Sequence, residues 1–217
     1  MPDWSNNTLR IYGDNLQAIR DSVSSDYGVF DFNRIIPRPK ELEDVISGGI
    51  TDVSVLCYLT EKFSIGWDEL TGERKEIKER LLQMKHDYFV PNIAYEKANE
   101  LTPSEVEECY RDGRQYYFNM KNYGYLTWYG WSCDNWGTKW NSAETSIEDR
   151  CDDYDKPELC YHFSTAWSPP VPVIKELSKQ FPYNLFILAS WIESFGNMCE
   201  VYIFKDGNEV CADGRQN

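Results

Sequence analysis

The amino-acid sequence predicts an α+β protein, with an antiparallel sheet built from the two ends of the chain and a helical segment between them. Two observations predict it. Both ends show strand-like and helix-like hydrophobic spacing in the order strand, helix, strand. The residues between the ends have helical spacing throughout. With 217 residues, 41% of them hydrophobic and 15% aromatic, the chain can bury a substantial core.

The N-terminal end supplies the first half of the sheet. TLRIY, residues 8–12, alternates apolar and polar side chains and predicts a strand with one buried face. Asp14 is expected to cap a helix whose apolar residues share one stripe between residues 16 and 23. VFDFNRII, residues 29–36, is expected to be the second strand, ended by the prolines that follow it.

The C-terminal end repeats this order. YHFSTAW, residues 161–167, predicts a strand. Ser168-Pro169 predicts a helix start, with serine as the N-cap and proline in the first turn. LFILASWIE, residues 185–193, is apolar on both faces, which indicates a central strand or one covered by additional structure. CEVYIFKDGNEVC closes the chain as a hairpin that turns at Asp206-Gly207 or Gly207-Asn208.

Two facing strand–helix–strand halves predict a ferredoxin-like antiparallel sheet with two packed helices. Residues 1–38 and 122–217 are expected to form this discontinuous sheet domain, and residues 39–121 a helical insertion between its halves. Within the insertion, Thr102-Pro103-Ser104-Glu105 is a capping box that opens a helix towards Met120. The acidic run at residues 147–158 is expected to be a surface loop before the third strand.

The charge excludes one broad class of function. The formal net charge is -14 and the pI is about 4.6, so a protein that grips nucleic acid through its phosphates is not expected. The first residues show no positively charged leader followed by an apolar stretch, and no apolar run is long enough to span a bilayer. Seven scattered cysteines without CxxC spacing indicate reduced thiols, so we expect a cytoplasmic protein that binds no membrane.

Four blocks of sequence carry a resemblance to a known family. PDWSNNTLRIYGD, FDFNRIIPRPKEL, NWGTKWNS and STAWSPPVPVIKELSKQFP, in that order, resemble proteins with a YubB-type ferredoxin-like domain. Members of that family are encoded on conjugative plasmids, phages and genomic islands of bacteria. The resemblance implies a fold, a mobile-element setting and a bacterial cytoplasm. It implies no activity, and it supplies no catalytic residues.

The tryptophan-rich segment is the main candidate site. WYGWSCDNWGTKWNS, residues 128–142, holds four tryptophans in fifteen residues. We expect most of these rings to pack the segment onto the sheet, with at least one ring at its rim. The alternative is a stacking platform for sugars, bases or a partner's side chains. The expected binding residues are Trp4, Trp136, Lys139, Trp140, Asn141 and Trp167.

Catalytic and metal sites are not expected. The chain has two histidines, His86 and His162. A Cys–His nucleophile would need His162 beside a cysteine, and nothing in the sequence pattern predicts that contact. A zinc site at Cys151, Cys160 and His162 lacks a fourth ligand and the usual ligand spacing. The carboxylates near residues 152–158 lack the alternation and central glycine of an EF-hand. We therefore expect no metal and no cofactor.

The favoured function is a non-enzymatic interaction protein of a mobile element that binds a protein partner. A first alternative is an acidic mimic of DNA that acts on a host DNA-binding protein, with Glu105, Glu107 and Glu108 beside the acidic loop. A second alternative is a small-ligand binder or enzyme with a pocket near the tryptophan-rich segment. A homodimer formed at an open strand edge is a further expectation.

Overall fold

A computed structural model describes residues 3–86, 89–150, 158–192 and 198–210. The chain divides into two compact units. Met1–Pro37 and Ser132–Asn217 form the first, called here the sheet unit, and Arg38–Trp131 form the second, called the helical unit. The helical unit thus continues to Trp131, whereas the sequence analysis ended it at residue 121. The predicted division into a discontinuous sheet domain and a helical insertion stays a prediction.

The sheet unit is ferredoxin-like, as predicted. Its six strands lie in the order β2-β3-β1-β4-β5-β6 and every neighbouring pair is antiparallel. Helix α1 follows β1 and helix α8 follows β3, which gives the split β-α-β pattern, and the β5–β6 hairpin extends the sheet beyond β4. The bounds are β1 Trp4–Tyr12, α1 Leu16–Val23, β2 Ala143–Arg150, β3 Glu158–Ala166, α8 Val171–Gln180, β4 Leu185–Ile192, β5 Met198–Lys205 and β6 Asn208–Glu209.

The two faces of the sheet differ in burial. On β1, Ser5, Asn7, Leu9 and Ile11 are buried, while the alternate residues are exposed or half-buried. The cross-strand register places the buried residues of β1 on one side with Tyr161, Phe163, Phe186 and Leu188, which form the core. The opposite side of the sheet, which carries the residues of β1 that are not buried, is called here the open face.

One predicted strand is wrong. Residues 29–36 contain only a short 3-10 helix, Phe32–Arg34, and the second strand of the first half is β2, which follows the helical unit in sequence. The carboxylate of Asp31 accepts the N–H of Asn33 at 2.9 Å and turns the chain at this point. Phe30 and Phe32 are fully buried, so their alternate spacing reflects two side chains that pack into the core and not a strand.

The acidic run at residues 147–158, predicted to be a surface loop, is partly strand, because β2 extends to Arg150 and β3 begins at Glu158.

Two predicted helix caps are also wrong. Helix α1 begins at Leu16, and the residue that precedes it, Asn15, has φ 58 and makes no capping bond. Helix α8 begins at Val171 after Pro170 and has no side-chain cap, and the Ser168 hydroxyl donates to the Gly137 carbonyl. Other local predictions are confirmed. Strand β4 is central between β1 and β5, and the final hairpin turns at Asp206-Gly207, where φ is 51 and 70.

The helical unit is built around a close helix crossing. Helices α3 and α6 pack so tightly that a Cβ added to Gly113 would lie 2.0 Å from the Ser54 carbonyl oxygen. The predicted capping box at Thr102 and Glu105 is confirmed. No described helix is long and apolar enough to cross a membrane. The helices are α2 Lys40–Glu43, α3 Thr51–Leu59, α4 Gly72–Leu81, α5 Pro91–Ala98, α6 Pro103–Tyr123 and α7 Trp128–Asn135, the last of which ends in the sheet unit.

Candidate functional site

Trp136, one of the predicted binding residues, belongs to the core. Its side chain has no exposed surface, and its indole N–H donates to the Ile36 carbonyl at 2.9 Å. The ring packs edge-on against Phe32, with 5.8 Å between the ring centroids. A partner could not reach this ring, so the structure removes Trp136 from the candidate site.

Asn141, a second predicted binding residue, joins two distant parts of the sheet unit. Its amide donates to the Asp31 carboxylate at 2.7 Å, and its carbonyl oxygen accepts the backbone N–H groups of Phe32 and Ser142, each at 2.9 Å. Asp31 is buried and also accepts the Ser25 hydroxyl at 2.6 Å. These bonds use both ends of the Asn141 amide, so its role is to hold the loop that carries Trp140.

The turn at Gly137 anchors the same loop to the end of β3. Gly137 has φ 76, as expected for a glycine in an ordered turn, and its missing side chain leaves room for Pro172. The Thr138 hydroxyl donates to the Ala166 carbonyl at 2.8 Å. The third and fourth sequence blocks that carry the family resemblance are therefore in contact at this turn.

The remaining predicted residues form an exposed aromatic cluster. Trp4 and Trp140 are 40% and 36% exposed, their ring centroids lie 6.0 Å apart, and their planes are inclined by 42°. The Lys139 ammonium lies 4.6 Å from the centre of the Trp140 ring, which is a cation–π geometry. Because Trp4 belongs to the open face, this cluster borders that face.

Trp167 stays a candidate at the same end of the sheet. It follows β3 directly, is 49% exposed and has φ 74, an uncommon value for a large residue. Its N–H donates to the Asp3 carbonyl at 2.8 Å. Its predicted neighbourhood with Trp4 is consistent with the register, since Ala166 lies opposite Trp4.

The sequence analysis missed a fourth ring, Trp191. Strand β4 places it on the open face opposite Asn6, two residues along β1 from Trp4, and it is 41% exposed. Diagonal neighbours of this kind lie within reach of aromatic side chains. The sequence does place Trp191 on one face of β4, because it follows Leu185, Ile187 and Ala189 at intervals of two residues. Only the strand register shows that this face is the open one. Trp4, Lys139, Trp140 and Trp191 are called here the aromatic corner.

A row of polar side chains crosses the open face beside the aromatic corner. The Ser164 hydroxyl lies 3.2 Å from the side-chain amide oxygen Oδ1 of Asn6 and 3.4 Å from the Glu144 carboxylate. Glu144 has φ 51 and lies in a β-bulge, where the register of β2 against β3 shifts between Ala143 and Ser146. Bulges of this kind often re-aim a side chain beside a functional site.

A cysteine and a histidine also meet on the open face, contrary to the expectation that they would not. The Cys160 sulfur lies 3.5 Å from Nε2 of His162, and the Glu148 carboxylate lies 3.8 Å from the same nitrogen. Residues two apart on one strand share a face, so this contact follows from β3 itself. Cys160 is fully buried, and the pair therefore offers no accessible nucleophile.

Metal binding has no support in the described ranges. Among those residues, no group of three or more His, Cys, Asp or Glu side chains is placed to hold a metal ion. Cys151 and the carboxylates at 152, 153 and 155 lie outside the described residues. Glu158 begins β3 and lies 3.5 Å from the Arg10 guanidinium.

Comparison with known proteins supports the fold. Residues 135–213 match a family described as the ferredoxin-like domain in Api92-like protein. A crystal structure of a protein api92 from Yersinia pseudotuberculosis is similar over 97% of this chain and 96% of that chain, at 13% identity and a TM-score of 0.41. A likeness that weak carries no argument, so the support for the fold comes from the family match. Curated proteins give no match. The YubB type and the mobile-element setting stay predictions.

Proposed function

We propose that this chain is a non-enzymatic interaction protein that binds a protein partner through the aromatic corner. The observation that carries the proposal is the exposure of three indole rings of the sheet unit, those of Trp4, Trp140 and Trp191, each between 36% and 41%. Tryptophan is enriched among the residues that dominate protein–protein binding energy. The two predicted residues that turned out to be structural, Trp136 and Asn141, hold the loop that presents Trp140.

The three rings represent a useful amount of binding energy. An indole side chain presents about 200 Å² when fully exposed, so each ring leaves roughly 80 Å² in water. At about 25 cal/mol per Å², covering one ring contributes about 2 kcal/mol, and covering three contributes roughly 6 kcal/mol before association costs. That is enough for a central anchor, although a complete interface needs a polar rim around it.

The charge of the sheet unit favours a basic partner. Ten lysines and arginines stand against nineteen aspartates and glutamates in the sheet unit, a net charge of -9. Association with a basic protein surface would be accelerated by this field, whereas nucleic acid would be repelled. A membrane is not part of the proposal.

Mimicry of DNA receives less support. Glu105 is engaged in the capping box with Thr102, and Glu107 pairs with Lys62. A phosphate-like stripe needs carboxylates that point to solvent without internal partners. The proposed setting, a bacterial cytoplasm and a mobile genetic element, is supported by the resemblance of the sequence blocks alone.

A peptide library displayed on phage tests the proposal with a defined set of ligands. We expect the immobilised wild-type protein to enrich a family of related peptides, and Trp4→Ala and Trp140→Ala to lose that enrichment. Tyr183→Ala is the matched control, because Tyr183 is an aromatic residue that is 88% exposed. Each variant is first compared with the wild type by circular dichroism to establish that it is folded.

Two outcomes would overturn the proposal. Peptides that bind wild type and both tryptophan variants equally would place the binding surface elsewhere. Absence of any enriched peptide, together with a small-molecule hit that quenches the corner rings, would favour the small-ligand alternative. Self-association of the wild type that is lost in Trp140→Ala would identify the partner as a second copy of this chain.

A further inference from the structure

We infer that the aromatic corner recognises an arginine side chain of its partner, an inference that rests on the proposed function. The geometry that points to it combines aromatic walls with a neighbouring row of hydrogen-bond acceptors. A guanidinium group is planar, carries five N–H donors and stacks on aromatic rings. It therefore needs both features at once.

Among the described residues, the hydrogen-bonding capacity of the acceptor row is incompletely used. The Ser164 hydroxyl is within reach of both the side-chain oxygen Oδ1 of Asn6, at 3.2 Å, and the Glu144 carboxylate, at 3.4 Å. A hydroxyl carries one hydrogen, so it serves only one of these oxygens at a time. Asn6 and Glu144 are exposed, which leaves acceptor capacity directed at solvent. Donors from a partner would complete the row.

The backbone of Glu144 is held in a strained conformation. A positive φ is uncommon for a glutamate, and here it coincides with the bulge in β2. Strained residues of this kind cluster at binding sites, where the surrounding structure holds them. The result is a carboxylate at one end of the row Glu144–Ser164–Asn6 and the Trp191 ring at the other.

One ring of the aromatic corner already contacts a cation of the protein itself. The Lys139 ammonium lies over the Trp140 ring at 4.6 Å from its centre. Trp4 stands next to Trp140 and opposite the end of β3, beside the acceptor row. An arginine that stacks on Trp4 could direct its N–H groups along the sheet towards Asn6 and Glu144. A lysine would gain the charge term but lacks the plane and the fork of donors.

The test uses three short peptides and the tryptophan indole signals of the full chain. Ac-Gly-Arg-Gly-NH2, its lysine analogue and its citrulline analogue are titrated into the millimolar range against ¹⁵N-labelled protein. The eight indole N–H signals are assigned by substitution. We expect the arginine peptide to shift the Trp4 and Trp140 signals, with citrulline binding at least about tenfold more weakly because it lacks the charge.

A matched pair of variants isolates the carboxylate. Glu144→Gln should weaken the arginine peptide about threefold to fivefold, as expected for one exposed charge-assisted contact. Glu209→Gln removes the same charge from β6 at the far edge of the sheet and should leave binding unchanged. Equal weakening by both variants would reduce the effect to net charge and overturn the inference.

The inference and the proposed function can fail separately. If the peptides selected through the aromatic corner contain no arginine, or if citrulline binds as well as arginine, the arginine inference is wrong while partner binding stands. If no ligand depends on Trp4 or Trp140, both fail. Arginine-dependent shifts confined to the Trp4, Trp140 and Trp191 signals would support both.

Discussion

Substitution of Asn141 tests whether one hydrogen-bonded side chain holds the loop that carries the aromatic corner. In Asn141→Ala the buried Asp31 carboxylate loses its 2.7 Å donor, and the Phe32 N–H loses its acceptor. Loss of a hydrogen bond to a charged group costs about 1.5–3 kcal/mol, and an unsatisfied, partly buried N–H adds about 1 kcal/mol. We expect the free energy of unfolding to fall by about 2–4 kcal/mol.

Equilibrium urea unfolding, followed by tryptophan fluorescence and circular dichroism, measures this change. Asn208→Ala is the control, because Asn208 is an exposed asparagine in the final hairpin and its loss should cost less than about 0.5 kcal/mol. Asn141→Asp should be worse than Asn141→Ala at neutral pH, since it places a second carboxylate beside Asp31.

A small effect would refute the reasoning. If Asn141→Ala unfolds within about 0.5 kcal/mol of the wild type, the bonds to Asp31 and Phe32 do not hold the loop. If Asn141→Asp is no less stable than Asn141→Ala at pH 7, the contact with Asp31 is not the cause.

Three further predictions concern the core and the helical unit. Gly113→Ala should destabilise the helical unit by about 3 kcal/mol or more in urea unfolding, because the added Cβ meets the Ser54 carbonyl at 2.0 Å; a change below 1 kcal/mol would show that α3 and α6 can separate. Trp136→Phe should cost about 2–4 kcal/mol by the same assay, through the lost bond to Ile36 and the cavity left behind, and equal stability would contradict this. Burial raises the pKa of the Asp52 carboxyl, so its ionisation opposes folding as the pH rises through the carboxyl range. Asp52→Asn should therefore raise the melting temperature at pH 7 and not at pH 3, and a gain at both pH values would point to a different cause.

The candidate site was only partly predictable from the sequence. The unusual density of tryptophan in residues 128–142 directed attention to Lys139 and Trp140, and the structure exposes the Trp140 ring. The same density could not separate these residues from Trp136, because a buried and an exposed indole look alike in composition. Trp191 and Glu144 were missed, since each becomes part of the site only through the pairing of its strand.

What the sequence alone determined is what local spacing and turn chemistry control. The period-two pattern of β1 and β3, the capping box at Thr102 and the glycine-containing turn of the final hairpin each specify their structure over a few neighbouring residues. These elements were sufficient to predict a ferredoxin-like sheet divided by helices.

Only the tertiary structure decided which segment completes the first half of the sheet and which side of the sheet is open. Residues 29–36 have strand-like spacing, yet the Asp31 carboxylate accepts a hydrogen bond from Asn141, far along the chain, and the segment forms a short 3-10 helix. The place in the sheet falls instead to β2, whose bulge turns Glu144 towards Ser164. Hydrophobic spacing predicts that a side chain is buried. The cross-strand register and hydrogen bonds between distant residues determine which residues bury it and which neighbours stay exposed.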